Sequence, residues 1–179
     1  MIAQGNALGT KMVVECKPQR GELNWRNSYM PQSLACAVMH LVFSTRNRVP
    51  AIDGVIEPEL HAYMATILKT NDSPAIKIGG TFDHLHILFN LSRTRSIANI
   101  VEEVKKDSSK WIKTKGRKYS DFFWQAGYGI FSVSQPSVNA VKNYIADQKE
   151  HHRKLTFQDE YRKMLNQCEI EVDERYIWD

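Results

Sequence analysis

Apolar side chains run almost unbroken from Leu34 to Ser44, rich in Val, Leu and Phe, and predict a buried strand. After a loop carrying Pro50 and Gly54 the period changes. Leu60, Tyr63, Met64, Ile67 and Leu68 recur at helical spacing and predict a helix over Glu57–Lys69. Asn71 to Pro74 punctuates the chain. Two short apolar runs, Ala75–Gly80 and His84–Leu91, then flank "GTFD" and predict an antiparallel hairpin. Ser96 is a candidate N-cap for a helix whose apolar face is Ile97, Ile100, Val101, Val104, Ser108 and Trp111, with lysines opposite. A basic loop, "TKGRKYSD", leads to an aromatic, strand-like stretch over Phe122–Ser134. Further helices are expected from Ser137 to about His152 and from Phe157 to Asn166.

The order β-α-β-β-α-β-α-α predicts an α+β fold: a ferredoxin-like antiparallel sheet with helices packed mainly on one face. Residues 1–29 carry Gly5, Gly9, Gly21 and Pro18 without sustained periodicity, and are expected to be a flexible N-terminal extension. Residues 30–179 are expected to form one domain, ending in an acidic tail from Cys168 to Asp179 anchored by Tyr176 and Trp178.

Composition changes this picture little: 42% hydrophobic and 25% charged residues are ordinary for a globular chain. Charge placement says more. Between Arg93 and Lys118 there are nine basic residues and three acidic ones, whereas Asp159 to Asp179 holds seven acids and three bases. A basic middle and an acidic end suit either a phosphate-facing surface or solvated helix faces. Cys16, Cys36 and Cys168 form no metal-binding or disulfide pattern and fit a reducing, cytoplasmic setting. No apolar stretch approaches the roughly 20 residues of a membrane span.

The candidate chemistry lies in "FDHLHILFN", Phe82–Asn90. Residues i and i+2 of a strand share a face, so His84 and His86 project together while Leu85 and Ile87 point to the core. Such a pair suits a divalent cation, or two half-buried imidazoles that only hydrogen-bond. A second piece is "VKNYIADQKEHH", Val141–His152, in which Tyr144 and Gln148 share a helical face. Taken alone, that Tyr packs on a core and that Gln faces solvent.

Together the pieces are more specific. His-hydrophobic-His on a strand, followed by a helical Tyr with Gln at i+4, resembles the HUH single-tyrosine transposases, the insertion-sequence-200-like transposases and their REP-associated relatives. "HLVFSTRNR", "IGGTFDHLHILFNLS", "DSSKWIK", "FWQAGYGIFSVS" and "YIADQKEHHRK" all look like that family, and residues 1–29 do not. The resemblance implies that His84 and His86 are metal ligands, that Tyr144 is the nucleophile and that Gln148 completes the metal site. It implies Mg²⁺ or Mn²⁺, a homodimer, and single-stranded DNA with a hairpin as substrate, cleaved and rejoined through a 5′-phosphotyrosine link. Ligand type alone leaves zinc open. Arg46, Arg48, Arg93, Arg95, Lys105, Lys110 and Lys113 are then candidates to track phosphates, and Trp124 and Tyr128 either to stack on bases or to pack in the core. His151 and His152 are expected in a solvated basic helix end, and His40 is a possible neighbour of the metal site. A relaxase- or replication-initiator-like nickase and a non-catalytic nucleic-acid-binding module are the competing readings.

Overall fold

The structure, a computed structural model, describes residues 34–175, 177 and 178. The expected N-terminal extension over residues 1–29 and the anchor Tyr176 lie outside the described residues. Four strands form an antiparallel sheet: β1 (Val38–Ser44), β2 (Ala75–Gly80), β3 (His84–Asn90) and β4 (Gly129–Val133), in the order β2-β3-β1-β4. Five helices pack against it: α1 (Ile56–Thr70), α2 (Ile97–Lys113), α3 (Val138–Ala146), α4 (Gln148–His151) and α5 (Phe157–Gln167). This is the α+β, ferredoxin-like antiparallel sheet expected, with helices lying on both of its faces rather than mainly on one.

Strand alternation divides the sheet. Leu41 and Phe43 of β1 and Leu85, Ile87 and Phe89 of β3 face α1 and α2. There they meet Leu60, Met64 and Leu68 of α1 and Ile100, Val101, Val104 and Ile112 of α2, all buried. Each such side chain contributes about 1.5–3 kcal/mol on burial. The Ser96 hydroxyl accepts the Asn99 amide and starts α2, as its sequence position suggests.

The opposite face carries His40 and Val42 of β1 and His84, His86 and Leu88 of β3. The shorter helices α3 and α5 cover it. Ile145 of α3 packs on Val38 and Leu88, while Phe157, Tyr161 and Leu165 of α5 pack on Val42 and Phe131. One row across the sheet reads Gly79–His86–Val42–Gly129. A Cβ at Gly79 would lie 2.4 Å from the Ile145 carbonyl oxygen, and one at Gly129 would lie 2.7 Å from the Tyr161 ring. The two edge glycines therefore let α3 and α5 seat directly on the sheet on either side of His86.

Two elements differ from expectation. The strand expected over Phe122–Ser134 is regular only over Gly129–Val133, apart from a bridge between Thr45 and Trp124. The Lys105 ammonium donates to the carbonyls of Gln125, Ala126 and Gly127, at 2.7, 3.0 and 2.8 Å, so those groups have a partner other than β1. The helix expected from Ser137 to His152 breaks at Asp147, between α3 and α4.

Candidate metal centre and nucleophile

β3 begins at His84, directly after a turn that fixes its ring. The Asp83 carboxylate accepts from His84 Nδ1 at 2.7 Å, and the Thr81 hydroxyl lies 2.9 Å from the same nitrogen. Burial opposes charge on Asp83, but the His84 and Thr81 hydrogen bonds outweigh it and hold that carboxyl below its usual range. A carboxylate only accepts, so Nδ1 carries the proton and the Nε2 lone pair points inward. Across the sheet face, His40 Nε2 lies 3.0 Å from His86 Nδ1, leaving His86 Nε2 to point inward as well. His86 Nε2 is buried and has no hydrogen-bond partner among the described residues. Both imidazoles are thus oriented by their outer nitrogens, the arrangement that metal-ligating histidines require.

The facing groups come from the C-terminal helices. Gln148, at the first position of α4, is buried, with Oε1 3.4 Å from His84 Nε2. Glu160 of α5 is buried with Oε2 3.4 Å from His86 Nε2, 3.9 Å from His84 Nε2 and 3.0 Å from His152 Nε2. Its Oε1 accepts from Gln148 Nε2 at 2.9 Å and from the Tyr144 hydroxyl. One ligand atom each from His84, His86, His152 and Glu160 lies within 4.8 Å of every other.

Burial sets the electrostatics. It pushes the Glu160 carboxyl up to about 7, with His84 opposing. Burial, then the neighbouring His84, hold His86 well below its ordinary value, and burial and His84 lower His152 to about 4. His40 falls to about 3 through burial and then His86. Inward-facing imidazole nitrogens and a carboxyl oxygen, one nitrogen unpartnered among the described residues, form a donor set that fits a divalent cation.

The predicted residues His84, His86, Tyr144 and Gln148 therefore meet in one place. The Tyr144 ring stands edge-on to His86, with centroids 5.9 Å apart, and 5.2 Å from His151. His40 is a direct neighbour of the site. His152 does not sit in a solvated helix end: its ring packs edge-on against His84 at 4.4 Å. Glu160 is not marked as a site residue by the sequence, where it reads as one more acid of a solvated helix. Its one signal is its helical spacing with the apolar positions Phe157, Tyr161 and Leu165, which places it near the buried face.

The candidate phosphate-tracking residues are spread over several elements, with Arg46 and Arg48 following the end of β1 that pairs with His84. Arg93 and Arg95 follow the far end of β3, about 20 Å from His84 by strand rise. Lys105 is committed to three carbonyls. Arg48 lies over the Trp178 ring at 5.9 Å, and Lys113 over the Phe123 ring at 3.6 Å. Arg46 and Lys110 are exposed. Trp124 packs in the core against Phe43 and Phe122, while Tyr128 is 37% exposed.

Residues 33–148 match the sequence family described as "Transposase IS200 like". The chain belongs to the IS200-like transposase family. His152 and Glu160 lie beyond the matched residues. Among solved structures, a candidate transposase from Deinococcus radiodurans R1 is similar at a TM-score of 0.53 and 18% identity, covering 65% of this chain and 94% of that one. A REP-associated tyrosine transposase bound to a REP hairpin is similar at 0.50 and 12% identity, covering 70% of this chain and 74% of that one. At these identities the likeness concerns the fold. No curated protein sequence matches the chain. Among the described residues, no helix is long and apolar enough to cross a membrane.

Proposed function

We propose that the protein is a metal-dependent transposase that cleaves and rejoins single-stranded DNA through a 5′-phosphotyrosine link formed by Tyr144. The observation that carries this reading is that the Tyr144 hydroxyl and the inward nitrogens of His84 and His86 all face the same carboxylate, Glu160. Family membership supplies the reaction class, and the REP-hairpin complex of a fold relative supports a hairpin-bearing substrate.

His84, His86 and Glu160 would hold the cation, with Gln148 and His152 as further donors. A bound divalent ion offsets phosphate charge and stabilises the charge that develops as the bond breaks. Imidazole with carboxylate suits Mn²⁺ better than the all-oxygen preference of Mg²⁺. Tyr144, with an ordinary phenol value of about 10, needs its proton removed. Glu160 Oε1 already accepts that proton's hydrogen bond, which places it to take the proton as the phenol attacks. Attack by the phenolate oxygen on phosphorus expels the 3′-oxygen and leaves the phosphate on Tyr144. A second 3′-hydroxyl can later reverse the exchange, with no water consumed.

Within this chain Tyr144 lies beside His86 and donates to Glu160.

The test is incubation with Mn²⁺ and single-stranded DNA carrying the ends of the protein's own element. A covalent protein–DNA adduct and a strand-transfer product are expected, both abolished by Tyr144→Phe. An adduct that persists in Tyr144→Phe removes Tyr144 from its role. Nicking without strand transfer favours the nickase reading. Unchanged function in both His84→Ala and Tyr144→Phe favours a binding module.

A further inference from the structure

Phe82 is a large aromatic side chain, 58% exposed, directly preceding the Asp83–His84 pair. Its exposure is not a matter of a loose loop. The Phe82 carbonyl accepts the Ile52 amide at 2.9 Å, and the Asp83 carbonyl accepts the Thr45 amide at 2.7 Å. The same turn is tied by the Thr81 hydroxyl to Asp83 at 2.8 Å. The Thr81 amide also donates to the His84 carbonyl at 3.0 Å, so backbone bonds on both sides of Phe82 hold the turn that carries its ring. Among the described residues no ring or cation stacks on it.

Phe82 forms one wall of a cavity of about 410 Å³, with Ile52, Glu57, Lys149, His152 and Arg153 among its lining. His152 belongs both to this cavity and to the metal cluster, so the two spaces adjoin. The cations are available at little cost. Lys149 pairs with Glu57 at 2.7 Å and Arg153 with Glu150 at 3.1 Å, both lysine and arginine side chains being mostly exposed. Exposed pairs of this kind are worth less than about 1 kcal/mol and exchange readily for phosphate.

We infer that this cavity is a nucleobase subsite. The base of a nucleotide next to the reacting phosphate stacks on Phe82, and its flanking phosphates lie against Lys149 and Arg153. The occupant is single-stranded nucleic acid, because an unpaired base offers the π-face that a fixed aromatic ring takes, while a duplex hides it. The inference rests on the functional reading above and adds the place where a base is held.

The experiment compares two strands of equal length, oligo-dT and an abasic deoxyribose-phosphate strand, by equilibrium binding to the full chain with Mn²⁺. Both present the same phosphates, so their difference reports base contacts alone. The unsubstituted protein is expected to prefer oligo-dT, and Phe82→Ala to cut that preference on the order of tenfold, the scale of one lost stack. Phe82→Trp should retain it, and binding to the abasic strand should be equal in all three. Circular dichroism of each variant controls for folding. Irradiation of strands carrying 5-iododeoxyuridine should cross-link to the Phe82 peptide. An unchanged preference in Phe82→Ala, or cross-links that never reach residues 81–83, overturns the subsite while leaving the Tyr144 adduct intact. A protein that neither binds strands nor forms the adduct overturns the functional reading, and the subsite with it.

Discussion

His86 has two ring nitrogens, and each has its own task. Nδ1 is held by His40, and Nε2 is left inside a buried space with Glu160 opposite at 3.4 Å. An unpaired buried nitrogen costs about 1–3 kcal/mol, so the cluster retains a locally unfavourable group that a cation would satisfy. Glu160 is the residue on which this depends, since it touches Tyr144, Gln148 and His152 as well. Glu160→Gln keeps the shape and removes the charge. It is expected to weaken Mn²⁺ binding at least tenfold in a direct titration, the lower end for groups that support a metal site. Unchanged affinity would remove Glu160 from the metal set. How much of the site could be read from sequence follows from the same contrast. His84 and His86 are legible because a strand's period of two forces them onto one face; Tyr144 and Gln148 are legible from their spacing of four, and both still reach Glu160 Oε1 across the break at Asp147. His152 at the end of α4 and Glu160 on α5 meet the histidine pair only through tertiary packing, which their own helical spacing does not reveal.

At the level of elements, the two outer strands position the chemistry as much as the helices do. Gly79 lets the backbone of Ile145, the neighbour of Tyr144, approach β2. Gly79→Ala would place a methyl group against backbone rather than a flexible side-chain end. It is expected to cost about 1–3 kcal/mol, the usual range for overpacking, and to lower adduct formation more than Mn²⁺ affinity. Denaturant midpoints and the two functional assays separate these effects. Equal losses of both would show that α3 and the metal ligands move as one body. Strands and helices with strong periodicity, such as α1, α2 and the β2–β3 hairpin, follow the sequence closely. The strand expected from Phe122 and the α3–α4 break do not: a distant lysine claims the carbonyls of Gln125, Ala126 and Gly127 ahead of β4, and the buried Gln148 begins a new helix after the break.

For the molecule as a whole, titration of the cluster sets its pH dependence. His40, His86 and His152 are all held below the ordinary histidine value of 6.5, so the unfolded chain binds protons there that the folded chain refuses. Stability is therefore fully present above about 6.5 and falls as pH drops through that value toward the folded values. Glu160 works the other way. Its folded value near 7 exceeds its ordinary 4.5, so it favours the fold below 4.5 and withdraws that support as pH rises to 7. Three histidines outnumber one glutamate, although the more accessible His152 counts for less. Chelator-treated protein is expected to lose on the order of 1–2 kcal/mol per pH unit on acidification from 6.5 to 5, read from denaturant midpoints. A flat profile would mean that the histidines take up protons in the folded state. The row Gly79–His86–Val42–Gly129 carries one last consequence for the molecule. Its two ends lie three strand spacings apart, roughly 14 Å, and each end is the footing of one helix. Tyr144 and Glu160 reach inward over the middle strands from those footings, like jaws on a common bed. Their gauge is fixed by the width and twist of the sheet, so a change confined to either edge strand alters the bite without touching a residue between the jaws.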